Sequence, residues 1–243
     1  MKPLLQVEGV SKSFARGGIP VRVLENVSME VHDGELFAIY GKRASGKTTL
    51  LEIAAGLADP DAGTVSFNGR DMARMSQRQL AGMHRDHVGW VEREGPQATD
   101  VPMRAHVALP LYRRLSRRQA DLKALAMLER VGVREYADAR WSDLPTSVRV
   151  FVTIAQALVR EPQLLVVDDP IYGLAVTERE AVTGLLRDVA ERAGLAVLLA
   201  VPEMPAMLHA HQVRVLAGGS LIGPAPDGTR SADVIEFPRP NSA

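Results

Sequence analysis

The chain has 243 residues, 46% hydrophobic and 24% charged, the balance of a globular domain long enough to bury a sizeable core. Its 29 basic and 29 acidic residues cancel, so no overall field draws it to nucleic acid or to an anionic membrane surface. The absence of cysteine excludes disulfides, thiolate-held zinc, iron–sulfur clusters and thiol nucleophiles. The opening residues, Met1 to Glu8, carry no signal-like apolar stretch. The apolar runs at 164–167 and 195–201 fall far short of the roughly 20 residues of a membrane span. The expected setting is cytosolic, with any membrane work done through a partner. Only Lys2, Lys12, Lys42, Lys47 and Lys123 are lysines among the 29 cations, so a lysine in a special place is informative.

In chain order, residues 4–14 and 21–31 alternate apolar and polar side chains and predict strands. Residues 36–40 form a continuous apolar strand that runs into a Gly-containing loop and a helix over 48–57. Pro60-Asp61-Ala62-Gly63 is a turn signal, followed by a strand at 64–67 and a second turn at Asn68-Gly69. A helix is expected over 77–85 and a strand over 88–91. From 103 to 139 the pattern is mostly helical and Arg-rich. Arg113, Arg114, Arg117 and Arg118 are expected toward solvent, with Leu122, Leu125, Leu128 and Val131 as the apolar stripe. Another helix follows Leu144 to 158, then a buried strand at 164–167. Two helix–strand units complete the pattern, 177–193 into 195–201 and 204–209 into 213–216. Strands alternating with helices predict a mainly parallel α/β sheet with a helical insertion. The residues after Gly223 are rich in Pro, Gly, Asp and Ser and are expected to fray.

Gly41-Lys42-Arg43-Ala44-Ser45-Gly46-Lys47-Thr48 matches the P-loop pattern and sits between a predicted strand and a predicted helix, as that loop must. Its glycines let backbone amides turn toward a triphosphate, and the helix N-terminus adds a positive dipole end. Residues 41 to 48, with Thr49 beside them, are therefore candidate ATP-binding residues. Lys47 is placed to bridge the β- and γ-phosphates and Thr48 to put its hydroxyl on magnesium. The run Leu164-Leu165-Val166-Val167-Asp168-Asp169 supplies the matching second half, an apolar strand ending in carboxylates. Asp168 is the candidate to hold magnesium through water, and Asp169 the candidate general base for an attacking water.

With these residues in place, the chain resembles the ATP-binding subunits of ABC transporters over nearly its whole length to about Gly223, most closely the lipoprotein-release and macrolide-export branch. The resemblance rests on Ser11-Lys12-Ser13-Phe14, Leu24-Glu25-Asn26-Val27-Ser28 before Gly34-Glu35, the P-loop, and Pro60-Asp61-Ala62-Gly63-Thr64-Val65. It continues through Val107-Ala108-Leu109-Pro110-Leu111 and residues 152–158 to the Asp168-Asp169-Pro170 corner. It implies a P-loop NTPase fold of the ABC type, with an antiparallel β-subdomain at the start and a helical subdomain inserted at about 94–160. One domain is expected over 1–223, with a tail at 224–243. Phe14 falls where the family stacks an aromatic on adenine, and it reads equally as a strand-end core residue.

The same alignment shows departures from the family pattern. Where the family has a glutamine after the first subdomain, this chain has Arg93, whose guanidinium repels a magnesium ion. In the signature segment, Leu144 is kept, but Pro145, Thr146, Ser147 and Val148 follow in place of Ser-Gly-Gly-Gln. Pro145 lacks both a hydroxyl and an amide N–H, and Thr146 and Ser147 add side chains where glycines permit close phosphate approach. The catalytic glutamate position is Asp169, one methylene shorter. The aspartate that contacts the opposite subunit is Ala175, and the switch histidine aligns with Pro202. His209 and His211 are expected at a helix end, capping its dipole.

The resemblance implies docking on a membrane permease at the cytoplasmic face through residues 93–111, as a homodimer or beside a second ATP-binding subunit, with ATP and Mg2+ as ligands and no nucleic-acid partner. Binding parts are kept and hydrolytic parts altered, which points to an ATP-binding subunit that hydrolyses weakly or not at all. The alternative is an active transport ATPase with Asp169 as base. A P-loop kinase or GTPase does not explain the blocks at 26–28, 60–65 and 107–111, and a nucleotide-independent scaffold predicts no stabilisation by Mg-ATP.

Overall fold

The computed structural model describes residues 2–91, 100–202 and 209–223. Two long strands, β1 (Leu5–Arg16) and β2 (Ile19–Val31), open the chain as an antiparallel hairpin. They run further than the alternation predicts, because Gly17 and Gly18 both take positive φ, the requirement of a tight two-residue hairpin turn. Strands β4 (Ala62–Phe67) and β5 (Arg70–Asp71) join them in a four-stranded sheet, order β2-β1-β4-β5.

The second sheet has six strands. It contains β3 (Leu36–Tyr40), β6 (Val88–Val91), β7 (Leu164–Asp168), β8 (Ala196–Val201), β9 (Gln212–Ala217) and β10 (Ser220–Ile222) in the order β10-β9-β3-β8-β7-β6. All its pairs are parallel except β9 with β10. The burial of every residue of β8 and of Leu164 to Val167 explains their continuous apolar sequence, as both faces are covered. The mainly parallel α/β sheet and the antiparallel opening sheet both match the expectation, and β10 is an addition that the sequence pattern did not reveal.

Helices α1 (Lys47–Ala54), α2 (Gln77–His87), α3 (Met103–Ala108), α4 (Arg117–Arg130), α5 (Thr146–Leu158) and α6 (Val176–Ala193) complete the described chain. Helix α1 is shorter than expected, since the Leu57 amide reaches back to the Glu52 carbonyl at 2.8 Å and closes its end. Ser76 and Ser116 cap α2 and α4 in reciprocal boxes with Gln79 and Gln119. The expected helix at 204–209 lies outside the described residues apart from His209, as do residues 224–243.

Two cores result. One packs α3, α4, α5 and α6 against one face of the six-stranded sheet. The other fills the space between the sheets around α1, through Leu5, Leu24, Phe37, Leu50 and Ile53. Of the apolar stripe expected on α4, Leu128 and Val131 are buried and Leu125 packs against the core, and Leu122 alone departs. The buried face of the helix is Ala120, Ala124 and Leu128, each fully enclosed, whereas Leu122 is 59% exposed. Alanines let this short-armed face approach α3 and α5 closely, and Leu122 falls outside it. His211 also departs from its expected capping role. It precedes β9, where its Nδ1 accepts the Leu36 amide at 2.9 Å and its Nε2 lies 3.2 Å from Glu191.

No helix among the described residues is long and apolar enough to cross a membrane. Leu128→Ala is expected to cost about 2–5 kcal/mol in urea unfolding, whereas Leu122→Ala changes stability by less than about 0.5 kcal/mol.

Candidate functional site

Strands β3, β7 and β8 run parallel and end together, Tyr40 beside Val201 and Asp168 beside Ala200. The chain then turns at one edge of the sheet, where open α/β sheets receive ligands. The Gly41 amide donates to the Val201 carbonyl at 3.2 Å, and the Asp169 amide to the Ala200 carbonyl at 3.0 Å. A side chain at Gly41 would stand 2.8 Å from the Leu216 carbonyl oxygen, so only glycine fits there.

The loop from Gly41 to Gly46 leads directly into α1. Ala44 and Gly46 take φ of +62° and +99°, turning the chain back on itself. Gly46 is also wedged against the opening sheet, and a Cβ there would lie 2.9 Å from both Val23 Cγ1 and the Val23 carbonyl. Lys42, Arg43 and Ala44 are exposed, whereas Ser45 and Thr49 are half-buried. The Ser45 Oγ is buried without a hydrogen-bond partner, an orphaned donor of the kind a phosphate oxygen satisfies.

Lys47 begins α1 with only 8% of its surface exposed. Its ammonium donates to the Gly41 carbonyl at 2.6 Å and to the Lys42 carbonyl at 3.0 Å, folded back across the loop. Burial pushes its pKa below the usual lysine range, against the opposing pull of the Asp169 and Asp168 carboxylates. The next residue, Thr48, donates its hydroxyl to Asp168 Oδ2 at 2.7 Å. A hydroxyl and a carboxylate in contact are hard oxygen donors suited to a magnesium ion. No group of three or more His, Cys, Asp or Glu side chains is gathered for a metal among the described residues. The remaining ligands of a magnesium at Thr48 and Asp168 would therefore be phosphate and water oxygens.

Asp169 is half-buried and takes φ of +47°, a left-handed conformation aspartate tolerates better than most residues. Pro202 follows β8 directly, next to the start of the loop. Phe14 is 47% exposed near the end of β1, which removes its core reading, and Lys12 Nζ lies 5.7 Å from its ring centroid. Lys12 is held there by the Asp59 carbonyl at 2.7 Å and Asp61 at 2.9 Å.

The signature-position residues form the start of α5. Pro145 occupies its N-cap, Thr146 is exposed, Ser147 is half-buried, and Val148 packs into the helical core. Ala175 is the N-cap of α6, and its methyl group offers no acceptor to the helix end. Glu178, three residues on, takes over part of that task by accepting the Ala175 amide at 2.8 Å. Hydrogen bonds from that amide and from the Ser147 hydroxyl hold the Glu178 carboxyl below the usual glutamate range. This carboxylate ties the starts of α5 and α6 together, and the sequence analysis did not single it out. Its signal was an acidic residue at the third helical position. Arg93 lies outside the described residues.

A family profile described as ABC transporter matches residues 24–172. The chain is 34% identical to the lipoprotein-releasing system ATP-binding protein LolD of Shewanella denitrificans, over 82% of this chain and 88% of that one. It is 31% identical to the macrolide export ATP-binding/permease protein MacB 2 of Yersinia pestis over 93% of its own length, yet it spans only 33% of that longer relative. Among solved structures, the dimeric ATP-binding cassette MJ0796 bound to ADP and Pi superposes with a TM-score of 0.81 at 23% identity, covering 89% of this chain and 96% of that one. CbiO1 of Clostridium perfringens, described as part of the transporter complex cbiONQ, gives a TM-score of 0.82 at 22% identity over 91% of this chain and 88% of that one. The family match over residues 24–172, together with the LolD relationship, establishes that the chain belongs to the ABC transporter family.

Proposed function

We propose that the chain is the ATP-binding subunit of a membrane transporter, and that this copy binds Mg-ATP while hydrolysing it slowly or not at all. The binding half rests above all on one arrangement. Lys47 and Thr48 open α1 at the common strand edge, with Thr48 in contact with Asp168 at 2.7 Å. A triphosphate entering the loop exchanges the two carbonyl partners of Lys47 for phosphate oxygens and satisfies the Ser45 hydroxyl. Thr48, and Asp168 through water, would hold a magnesium ion there, which would supply neutralisation of phosphate charge.

The slow-hydrolysis half rests on residue chemistry. Pro202 offers no donor beside the loop, and Pro145 has no amide N–H at the start of α5. Asp169 reaches about one ångström less far than glutamate, a misplacement that can cost on the order of 100-fold in rate. Ala175 removes a carboxylate, and Arg93 brings a cation where the family has an amide oxygen. LolD and MacB are named for transport systems, which supports a permease partner; membership of the family extends the proposal to docking at the cytoplasmic face beside a second ATP-binding subunit, either another copy or a competent relative.

Purified protein incubated with radiolabelled Mg-ATP and trapped on a filter is expected to retain unconverted ATP. Lys47→Ala is expected to lose that retention, together with the roughly 2.7 kcal/mol of stabilisation that ATP at 100 times its Kd gives the unsubstituted chain. Rapid appearance of ADP that stops in Asp169→Asn would establish the active-ATPase reading instead. Asp169→Glu alone is expected to leave turnover low, measured as phosphate release, because the changes at Arg93, Pro145 and Pro202 remain.

A further inference from the structure

Beyond Ser11, strand β1 loses one of its two neighbours. Ser11 opposite Ala62 is the last pair it makes with β4, and from there to the turn at Gly17-Gly18 only β2 runs beside it. Phe14 to Arg16 and Ile19 to Val21 therefore form a two-stranded ribbon that projects past the sheet. Such a ribbon is only marginally stable by itself in water. Phe14, Ile19 and Val21 are all exposed on it.

The base of the ribbon fixes which way its faces point. Leu24 stands opposite Lys12, and its Cδ2 lies 3.3 Å from where a Cβ on Gly46 would stand. Side chains two apart in a strand share a face. Lys12 and Phe14 are therefore on the side against which the phosphate loop rests, with Val21 opposite Phe14.

That base is anchored by the turn at 59–61. The Asp61 amide donates to the Ser11 carbonyl at 2.9 Å, and the Asp61 carboxylate accepts the Ser13 amide at 2.7 Å. Lys12 Nζ donates to the same carboxylate at 2.9 Å and to the Asp59 carbonyl at 2.7 Å. The Lys12 hydrogen bond, followed by that of the Ser13 amide, holds the Asp61 carboxyl below the usual aspartate range. These contacts stop one residue short of Phe14. The Lys12 ammonium, with two of its three donors so engaged, lies 5.7 Å from the Phe14 ring centroid, within cation–π range. One face of the ring is thus backed by a pinned cation. With Phe14 47% exposed, the other face stays open to a planar ligand. The phosphate site built by Lys47, Thr48 and Asp168 makes no use of Lys12.

We propose that Lys12 is a positioning residue for the base of the bound nucleotide: pinned by Asp59 and Asp61, it backs one face of the Phe14 ring so that the other face stacks on the base. This rests on the reading of the loop as a Mg-ATP site and adds recognition of the base to it. Aromatic stacking tolerates any base, so the selectivity that Lys12 confers is for a nucleotide over a bare polyphosphate.

Calorimetric titration of the full-length chain with Mg-ATP and, separately, with Mg-tripolyphosphate tests this. Lys12→Met is expected to weaken Mg-ATP binding about tenfold. Its binding of Mg-tripolyphosphate is expected to be unchanged, which also reports that the loop is folded. Lys12→Arg keeps the cation and is expected to retain most of the ATP affinity. In a Phe14→Leu background, where ATP binding is already weakened, Lys12→Met is expected to add nothing, the mark of a residue that acts through another. Unchanged ATP binding in Lys12→Met, equal losses for the two ligands, or a full-sized loss in the Phe14→Leu background would overturn the proposal and leave the ATP-binding reading standing. Failure of the unsubstituted chain to bind either ligand would overturn that reading, and this proposal with it.

Discussion

The parallel register of β3, β8 and β7 is the constraint on which the rest of the structure depends. Because these strands end at a common edge, the Val201 and Ala200 carbonyls receive the amides of Gly41 and Asp169. The loop and the acidic corner are therefore both fixed to the same sheet. Thr48 and Asp168, 120 positions apart in the chain, meet because two strands stop at the same height. Side-chain chemistry then works on a frame that main-chain hydrogen bonds have already set.

The opening sheet is part of that frame. Gly46 fits against Val23 with no room for a Cβ, and the Glu25 amide donates to the Gly219 carbonyl at 2.8 Å. The base of the phosphate loop is thus pressed from one side by β2, and the turn between β9 and β10 is bonded to the same strand. Shape there is enforced by backbone contact, the least adjustable contact a protein makes. The helical layer is held differently, through the alanine face and the capped start of α4.

Much of this was legible in the sequence for identifiable reasons. The loop from Gly41 to Thr48 is encoded locally, by glycines and a lysine at fixed spacing, so its position between β3 and α1 could be read directly. The buried strands at 164–167 and 195–201 announced themselves by continuous apolar runs. Other features depended on partners distant in sequence. Leu122 looked like core and faces solvent, because the helices beside α4 accept alanine rather than leucine. His211 looked like a cap and instead receives the Leu36 amide, a contact across 175 positions that no local pattern encodes. Glu178 escaped notice for the same reason, since its importance arises only where the starts of α5 and α6 converge.

The folded-back ammonium of Lys47 has a wider consequence. This cation has two carbonyl partners and little contact with water. An incoming anion competes against that internal arrangement before it gains anything. A phosphate oxygen, being charged, is a stronger acceptor for that ammonium than either carbonyl, so the two backbone bonds set what a ligand must exceed at this position.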